Sequence, residues 1–376
     1  MTPTREKSYY PYFDYLRIVL VTVVMLAHDG ILTWHYSGKL AVDVFFALSG
    51  WLIGGILIRT DIKDLSRFYF NRALRIWIPY YLAFTLIIIV SLLKDPITQK
   101  WFEFVIYKVT WVYNYFGPPQ LEAFRNAMPL DGTGNHFWSV NAEEQFYLLA
   151  PLLLVVFAKY GRNIITWLLV VASFWYMWVY APISLGVLAA VVNAKYPGFY
   201  AKRITRALML VIFLGATAGF AFTGDYKTYA PFFSISLVLL LAIKGNKQSA
   251  GSFLGGISYP LYLNHWIGVF FFNLVLEPFG LRESGIRNVL AAVMNYGIAA
   301  FLYWFIERKV LAMRGKLYSA GKGVVFTCLA YLSIVTGFTF GLILHPSITT
   351  GIVWLVFFAT ASIIITVVLK TYSRNR

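Results

Sequence analysis

Twelve apolar runs divide this chain, at 12–34, 41–59, 73–93, 138–158, 163–179, 181–193, 204–223, 229–244, 253–276, 287–310, 323–344 and 349–370. A bilayer core of about 30 Å is crossed by about 20 apolar helical residues, so runs of this kind predict membrane-spanning helices. Those at 163–179, 181–193 and 229–244 are short for a full crossing. Only 13% of residues are charged, against about 25% in soluble domains. The predicted fold class is all-α, a polytopic transmembrane helix bundle. The only cysteine is Cys328, which excludes a disulfide within the chain and a cysteine metal cluster. The first run holds Arg17 and His28 within it, which argues against a cleavable signal peptide.

The net charge of +16 would suggest nucleic acid in a soluble protein. Here the charge gathers in short connections between apolar runs, and topology explains it better. With the N-terminus inside, inner loops and tails hold 23 Lys and Arg and outer loops hold 8. That bias predicts both termini in the cytoplasm and no nucleic-acid partner. The long outer segment is rich in Trp, Tyr and Phe over 100–115 and is expected along the interface or dipping inward. Gly117, Pro118 and Pro119 break it, and Asp131-Gly132-Thr133-Gly134 reads as a turn leading to His136.

The informative residues are the ionisable ones inside the runs, because burying them in lipid is costly and marks function by default. Arg17 and His28 are eleven residues apart. That spacing puts them on one helical face, about 16 Å apart along the axis, with the imidazole near mid-membrane. Asp43 lies near the outer end of the second run, with Ser49 and Gly50 deeper; those two also read as a small-residue packing face. Arg72 and Arg75 are one turn apart, with Pro79 after them. They form either a topology anchor or a clamp for phosphate or carboxylate. Glu143 and Glu144 are adjacent in the fourth run, and Tyr147 is one turn beyond Glu143. His265 sits mid-run with Tyr259, Pro260, Tyr262 and Asn264 beside it, and Glu307 closes the tenth run. Arginines thus mark one mouth, where they suit a phosphate-bearing anion, and carboxylates with histidine mark the middle. A histidine near an acid suits proton abstraction from a hydroxyl. His28 and Asp29 point about 100° apart on a helix, so a metal site is not expected. Group transfer across a membrane fits this set. A proton-coupled transporter of a glycan precursor or organic anion fits it too.

Several stretches resemble the acyltransferase-3 family of integral-membrane acyltransferases: DYLRIVLVTVVMLAH with its Arg, ten residues and His, then AVDVFFALSGWLIG, FYFNRALRIWIPYY, FWSVNAEEQFYLLAP, ISYPLYLNHW and WFIERK. They run in order from about residue 9 to 310. The resemblance implies a ten-helix acyltransferase core over 1–312, followed by a basic linker and a two-helix hairpin over 313–376. It implies O-acyl transfer, most often acetyl, from cytoplasmic acyl-coenzyme A to a hydroxyl of a cell-surface or lipid-linked saccharide, in the bacterial cytoplasmic membrane. Arg17, Arg72 and Arg75 would hold the coenzyme A phosphates or the thioester. His28 would be the base, with Glu143 its acidic partner. Asp43, Glu144, Tyr147 and His265 would shape the substrate pocket. The family's usual proline after the last Glu-Arg is Lys309 here.

Overall fold

A computed structural model of the chain describes residues 9–94, 96–117, 134–175, 180–282 and 284–374. Pro118, Pro119 and the Asp131–Thr133 part of the expected turn lie outside these. In chain order the helices are α1 (Pro11–His28), α2 (Ser37–Leu57), α3 (Leu65–Lys94), α4 (Gln99–Val109), α5 (Tyr113–Phe116), α6 (Phe137–Pro151), α7 (Ala158–Gly161), α8 (Ile164–Trp175) and α9 (Tyr180–Lys195). They continue with α10 (Arg203–Thr223), α11 (Tyr226–Leu241), α12 (Ser249–Asn264), α13 (Trp266–Leu276), α14 (Gly285–Leu302), α15 (Arg308–Leu317), α16 (Ala320–Leu344) and α17 (Ile348–Arg374). No strand occurs among the described residues. Among the described residues seven spans are long and apolar enough to cross a membrane, and four shorter apolar helices accompany them. Three of those four, α8, α9 and α11, are the runs that read as short.

Two boundaries differ from the sequence reading, each for a local reason. The first run extends apolar to residue 34, but α1 stops at His28. Gly30 adopts φ +74, and the N–H groups of Ile31 and Leu32 both turn back onto the Leu26 carbonyl. A left-handed glycine of this kind ends a helix whatever the hydropathy beyond it. The ninth run reads as continuous, yet the helix breaks at His265 between α12 and α13.

The chain forms two compact units, Met1–Gly55 with Ile164–Tyr303, and Ile56–Asn163 with Trp304–Arg376. In the first, α1 packs along α12, α12 and α13 pack on α14, and the pairs α8/α9 and α10/α11 stand beside them. Gly50 and Gly54 of α2 lie against α9. A Cβ on Gly50 would fall 2.0 Å from the Ile183 carbonyl oxygen, and one on Gly186 would fall 2.2 Å from that of Ala47. The small-residue reading of this stretch is therefore a close helix crossing of the kind that drives association in lipid.

In the second unit, α3 packs on α16, which pairs with α17. The amphipathic α4 carries Lys108, whose side chain is 1% exposed. Its ammonium stands 4.2 Å from the Tyr113 ring centroid and 5.9 Å from that of Phe104. Among the described residues no carboxylate is within salt-bridge distance of it. Burial without an anion pushes this amine down to about 7.

Gly50→Ala should lower the thermal midpoint in detergent, at a cost of about 1–3 kcal/mol. Gly215→Ala, where a Cβ meets nothing within 4 Å, should leave it equal or higher. Equal midpoints for Gly50→Ala and wild type would contradict the close crossing. For Lys108 the folded value lies below the ordinary one of about 10.4, so the unfolded chain binds more protons between the two. Its contribution should therefore be flat below pH about 7 and become more stabilising up to about pH 10. Lys108→Met should raise the thermal midpoint most at acidic pH, with the gain shrinking over that window. A gain independent of pH would show that the amine is not the source.

Candidate active site

Each unit assembles its own polar cluster. In the first unit α1 carries both Arg17 and His28, as the eleven-residue spacing predicts. His28 is exposed, whereas His265 is 2% exposed. The two rings meet edge to edge, Nδ1 of His28 at 2.8 Å from Nε2 of His265, with their planes 22° apart. The second nitrogen of His265, Nδ1, lies 2.8 Å from the Tyr262 carbonyl oxygen. A carbonyl only accepts, so that nitrogen carries the hydrogen. With both rings neutral, Nε2 of His265 is then an acceptor, and Nδ1 of His28 donates to it. The lone pair of His28 is thereby assigned to Nε2. The chain Tyr262 carbonyl, His265, His28 fixes a tautomer in the way a buried orienting group fixes a catalytic histidine.

The break between α12 and α13 makes this possible, and Asn295 of α14 holds it. The Asn295 amide donates to the His265 carbonyl at 2.5 Å and accepts from the Gly268 N–H at 2.8 Å. Backbone groups freed by a broken helix need such partners in an apolar interior. A Cβ on Gly268 would meet the Ala291 carbonyl oxygen at 2.4 Å, so a glycine is needed for α14 to approach.

Arg17 is tied by Nη1 to Asp14 at 3.0 Å, and Asp14 also accepts from the Tyr9 hydroxyl. The i, i+3 spacing of Asp14 and Arg17 was visible in DYLR, but that reading gave Asp14 no role. The pair uses a fraction of the five guanidinium donors. Asp43 is buried and accepts from the Tyr226 hydroxyl at 2.5 Å. Tyr226 stacks on Tyr36, with the Lys39 ammonium 4.7 Å from its ring.

In the second unit Arg72 lies over the Tyr147 ring at 5.6 Å, and the Tyr147 hydroxyl donates to Glu143. Arg72 is thus joined to the turn of α6 that carries the carboxylates rather than standing at a separate mouth. Arg75, one turn on, is exposed. The buried Glu307 lies within electrostatic range of it. Glu144 is 4% exposed and accepts from the Trp77 indole at 2.8 Å. Trp77 is stacked on Trp111, a residue held at φ 62 and fixed by the Gln145 amide donating to its carbonyl at 2.6 Å. Such strain persists only where the surroundings enforce it. Sequence reading had no signal for Asn295 beyond an asparagine inside an apolar run, and none for the Trp77–Trp111 support. The hydrogen bonds therefore group Glu143 with Tyr147, and His28 with His265.

The profile of the acyltransferase-3 family, described as an acyltransferase domain, matches residues 10–308, and the chain belongs to that family. It is similar to the peptidoglycan O-acetyltransferase OatA of Listeria monocytogenes, 29% identical over 171 residues, covering 43% of this chain and 27% of the relative. It is also similar to the O-acetyltransferase OatA of Staphylococcus aureus, 32% identical over 185 residues, covering 44% and 28%. A third relative is the putative peptidoglycan O-acetyltransferase YrhL of Bacillus subtilis, 30% identical over 162 residues, covering 41% and 25%. Each alignment spans about a quarter of the relative's length. No solved structure matches the chain.

Asn295→Ala should leave a folded protein in which the His265 carbonyl and the Gly268 N–H lose their partner, an expense of about 1–3 kcal/mol if left unsatisfied. Histidine side-chain NMR should then show altered His28 and His265 signals. Unchanged signals would remove Asn295 as the support of the break.

Proposed function

We propose that the protein is a membrane O-acyltransferase that moves an acyl group, acetyl in the first instance, from acyl-coenzyme A to a saccharide hydroxyl. The observation that carries this reading is the directed chain from the Tyr262 carbonyl through His265 to His28, inside a family of acyltransferases. The Nε2 lone pair of His28 takes the proton of the acceptor hydroxyl as its oxygen attacks the thioester carbonyl. The new C–O bond forms, the C–S bond breaks, and the thiolate recovers the proton from the His28 imidazolium. The charge that appears on His28 is shared through its Nδ1–H with His265, whose own N–H is held by a carbonyl. General base catalysis of this kind contributes about 10²–10⁴-fold.

Each cluster offers guanidinium groups suited to phosphate: Arg17 in the first unit, Arg72 and Arg75 in the second. A guanidinium is always charged and offers parallel donors to phosphate oxygens. Arg17 and Arg72 are held by Asp14 and by the Tyr147 ring, so less side-chain freedom is lost on binding. Asp43, Glu144 and Tyr147 line the two clusters as candidates for acceptor contacts. The acceptor class comes from the relatives' names, which are those of peptidoglycan and other O-acetyltransferases. A polymeric or lipid-linked glycan in the bacterial cytoplasmic membrane fits that class. The inner-loop excess of Lys and Arg supports a cytoplasmic donor side with both termini on it.

One observation favours a second reading. Transporters also build substrate and coupling-ion sites at broken helices, and α12 and α13 break at His265. The two separate on one measurement. Purified protein in detergent should release coenzyme A from acetyl-coenzyme A when given a saccharide acceptor, and a transporter should not. His28→Ala should lose about 10²-fold or more of this release while remaining monodisperse. Wild-type turnover in that variant would remove the base. Arg72→Ala should raise the KM for acetyl-coenzyme A more than that for the acceptor.

A further inference from the structure

The helical hairpin of α16 and α17 follows the residues that match the acyltransferase family. It is not loosely attached within its unit. A Cβ on Gly337 would meet the Thr110 hydroxyl at 2.3 Å, and one on Gly323 would meet Ser66 at 3.0 Å. Phe326 packs edge-on against Phe70 with ring centroids 5.3 Å apart. Small residues on α16 thus admit α3 and the side chains of the α4–α5 segment at close range.

Between those contacts stands Tyr331, 0% exposed. Its hydroxyl lies 2.6 Å from the Leu148 carbonyl oxygen of α6 and 2.7 Å from the Tyr69 hydroxyl of α3. The carbonyl only accepts, so the Tyr331 hydrogen goes to Leu148, and the Tyr331 oxygen accepts from Tyr69. One phenol therefore fastens two helices in one direction. Those two turns are the ones that matter for the proposed donor site. Tyr69 is three residues before Arg72, on the same face of α3. Leu148 follows Tyr147, whose ring carries Arg72 at 5.6 Å. The α6 ladder is also interrupted here. Pro151 has no N–H to give the Tyr147 carbonyl, and a π-turn follows over Leu152–Val156. The clamp holds a turn that its own helix supports less than fully.

We propose that the C-terminal hairpin completes the donor site, with Tyr331 as a positioning residue that sets the distance between the Arg72 turn of α3 and the Tyr147 turn of α6. The inference rests on the reading of Arg72 as a donor contact. A hairpin serving only as packing would need the ring at position 331 and not the hydroxyl.

Tyr331→Phe keeps the ring and removes both hydrogen bonds. In the full-length protein it should raise the KM for acetyl-coenzyme A about five-fold, near the net worth of one hydrogen bond. The KM for the acceptor should rise by less. In the Arg72→Ala background the same substitution should add no further rise, because the positioned group is gone. Tyr69→Phe, which leaves the bond to Leu148, should move the same KM in the same direction by less. Unmoved donor KM in folded Tyr331→Phe, beside a raised one in Arg72→Ala, overturns the positioning role alone. Full additivity of Tyr331→Phe with Arg72→Ala also overturns it. If Arg72→Ala leaves the donor KM unchanged, the donor reading falls and the positioning role falls with it. Should Tyr331→Phe fail to fold, an unmoved donor KM in folded Tyr69→Phe overturns the proposal.

Discussion

A polar atom inside an apolar helix bundle must be answered by another polar atom, and in this protein the answers come from neighbouring helices. The hydrogen bond between His28 and His265 is the clearest case. It joins the end of α1 to the break between α12 and α13. The break exposes a carbonyl and an N–H that Asn295 covers. Without a partner those groups would carry several kcal/mol of desolvation in hydrocarbon. The catalytic chemistry proposed for His28 is thus inseparable from how three helices satisfy one irregular turn.

The same rule shapes the second unit, with aromatic rings in place of backbone. Arg72 rests on Tyr147, Trp77 donates to Glu144, and Lys108 faces Tyr113. A ring face accepts a cation without bringing a second charge into the interior. This accounts for the use of tyrosine and tryptophan beyond the interfacial belts that composition alone suggests. The glycines act alongside. Gly268 lets α14 approach the turn that Asn295 covers, and Gly50, Gly186 and Gly337 allow close approaches elsewhere.

Much of the fold was legible. Every apolar run corresponds to one or more helices, since in lipid a run of apolar residues has few structures open to it. The places where the reading slipped were not apolar errors. α1 ends at His28 because Gly30 turns left-handed, so the Asp29-Gly30 turn signal outweighs the hydropathy of the residues beyond it. The break at His265 was flagged only by Pro260, which sits inside α12 and does not end it. The candidate residues Arg17, His28, Asp43, Arg72, Arg75, Glu143, Glu144, Tyr147 and His265 stand out in the sequence as ionisable or phenolic groups in or beside apolar runs. What they bond to does not. Glu143 takes the Tyr147 phenol one turn along its own helix, a spacing the sequence displays. His28 takes a residue 237 positions away, which no spacing displays.

From the order of its residues alone, then, this chain is a family member, a helical membrane protein, and the bearer of one arginine and one histidine on a common helical face. Those properties are local or periodic, and a one-dimensional pattern records them. Which nitrogen of His28 holds the lone pair, and that Tyr331 of the hairpin ties α3 to α6, were decided by tertiary structure. Each depends on groups far apart in the chain meeting within about 3 Å, a hydrogen-bonding distance that only the packing of whole helices can set.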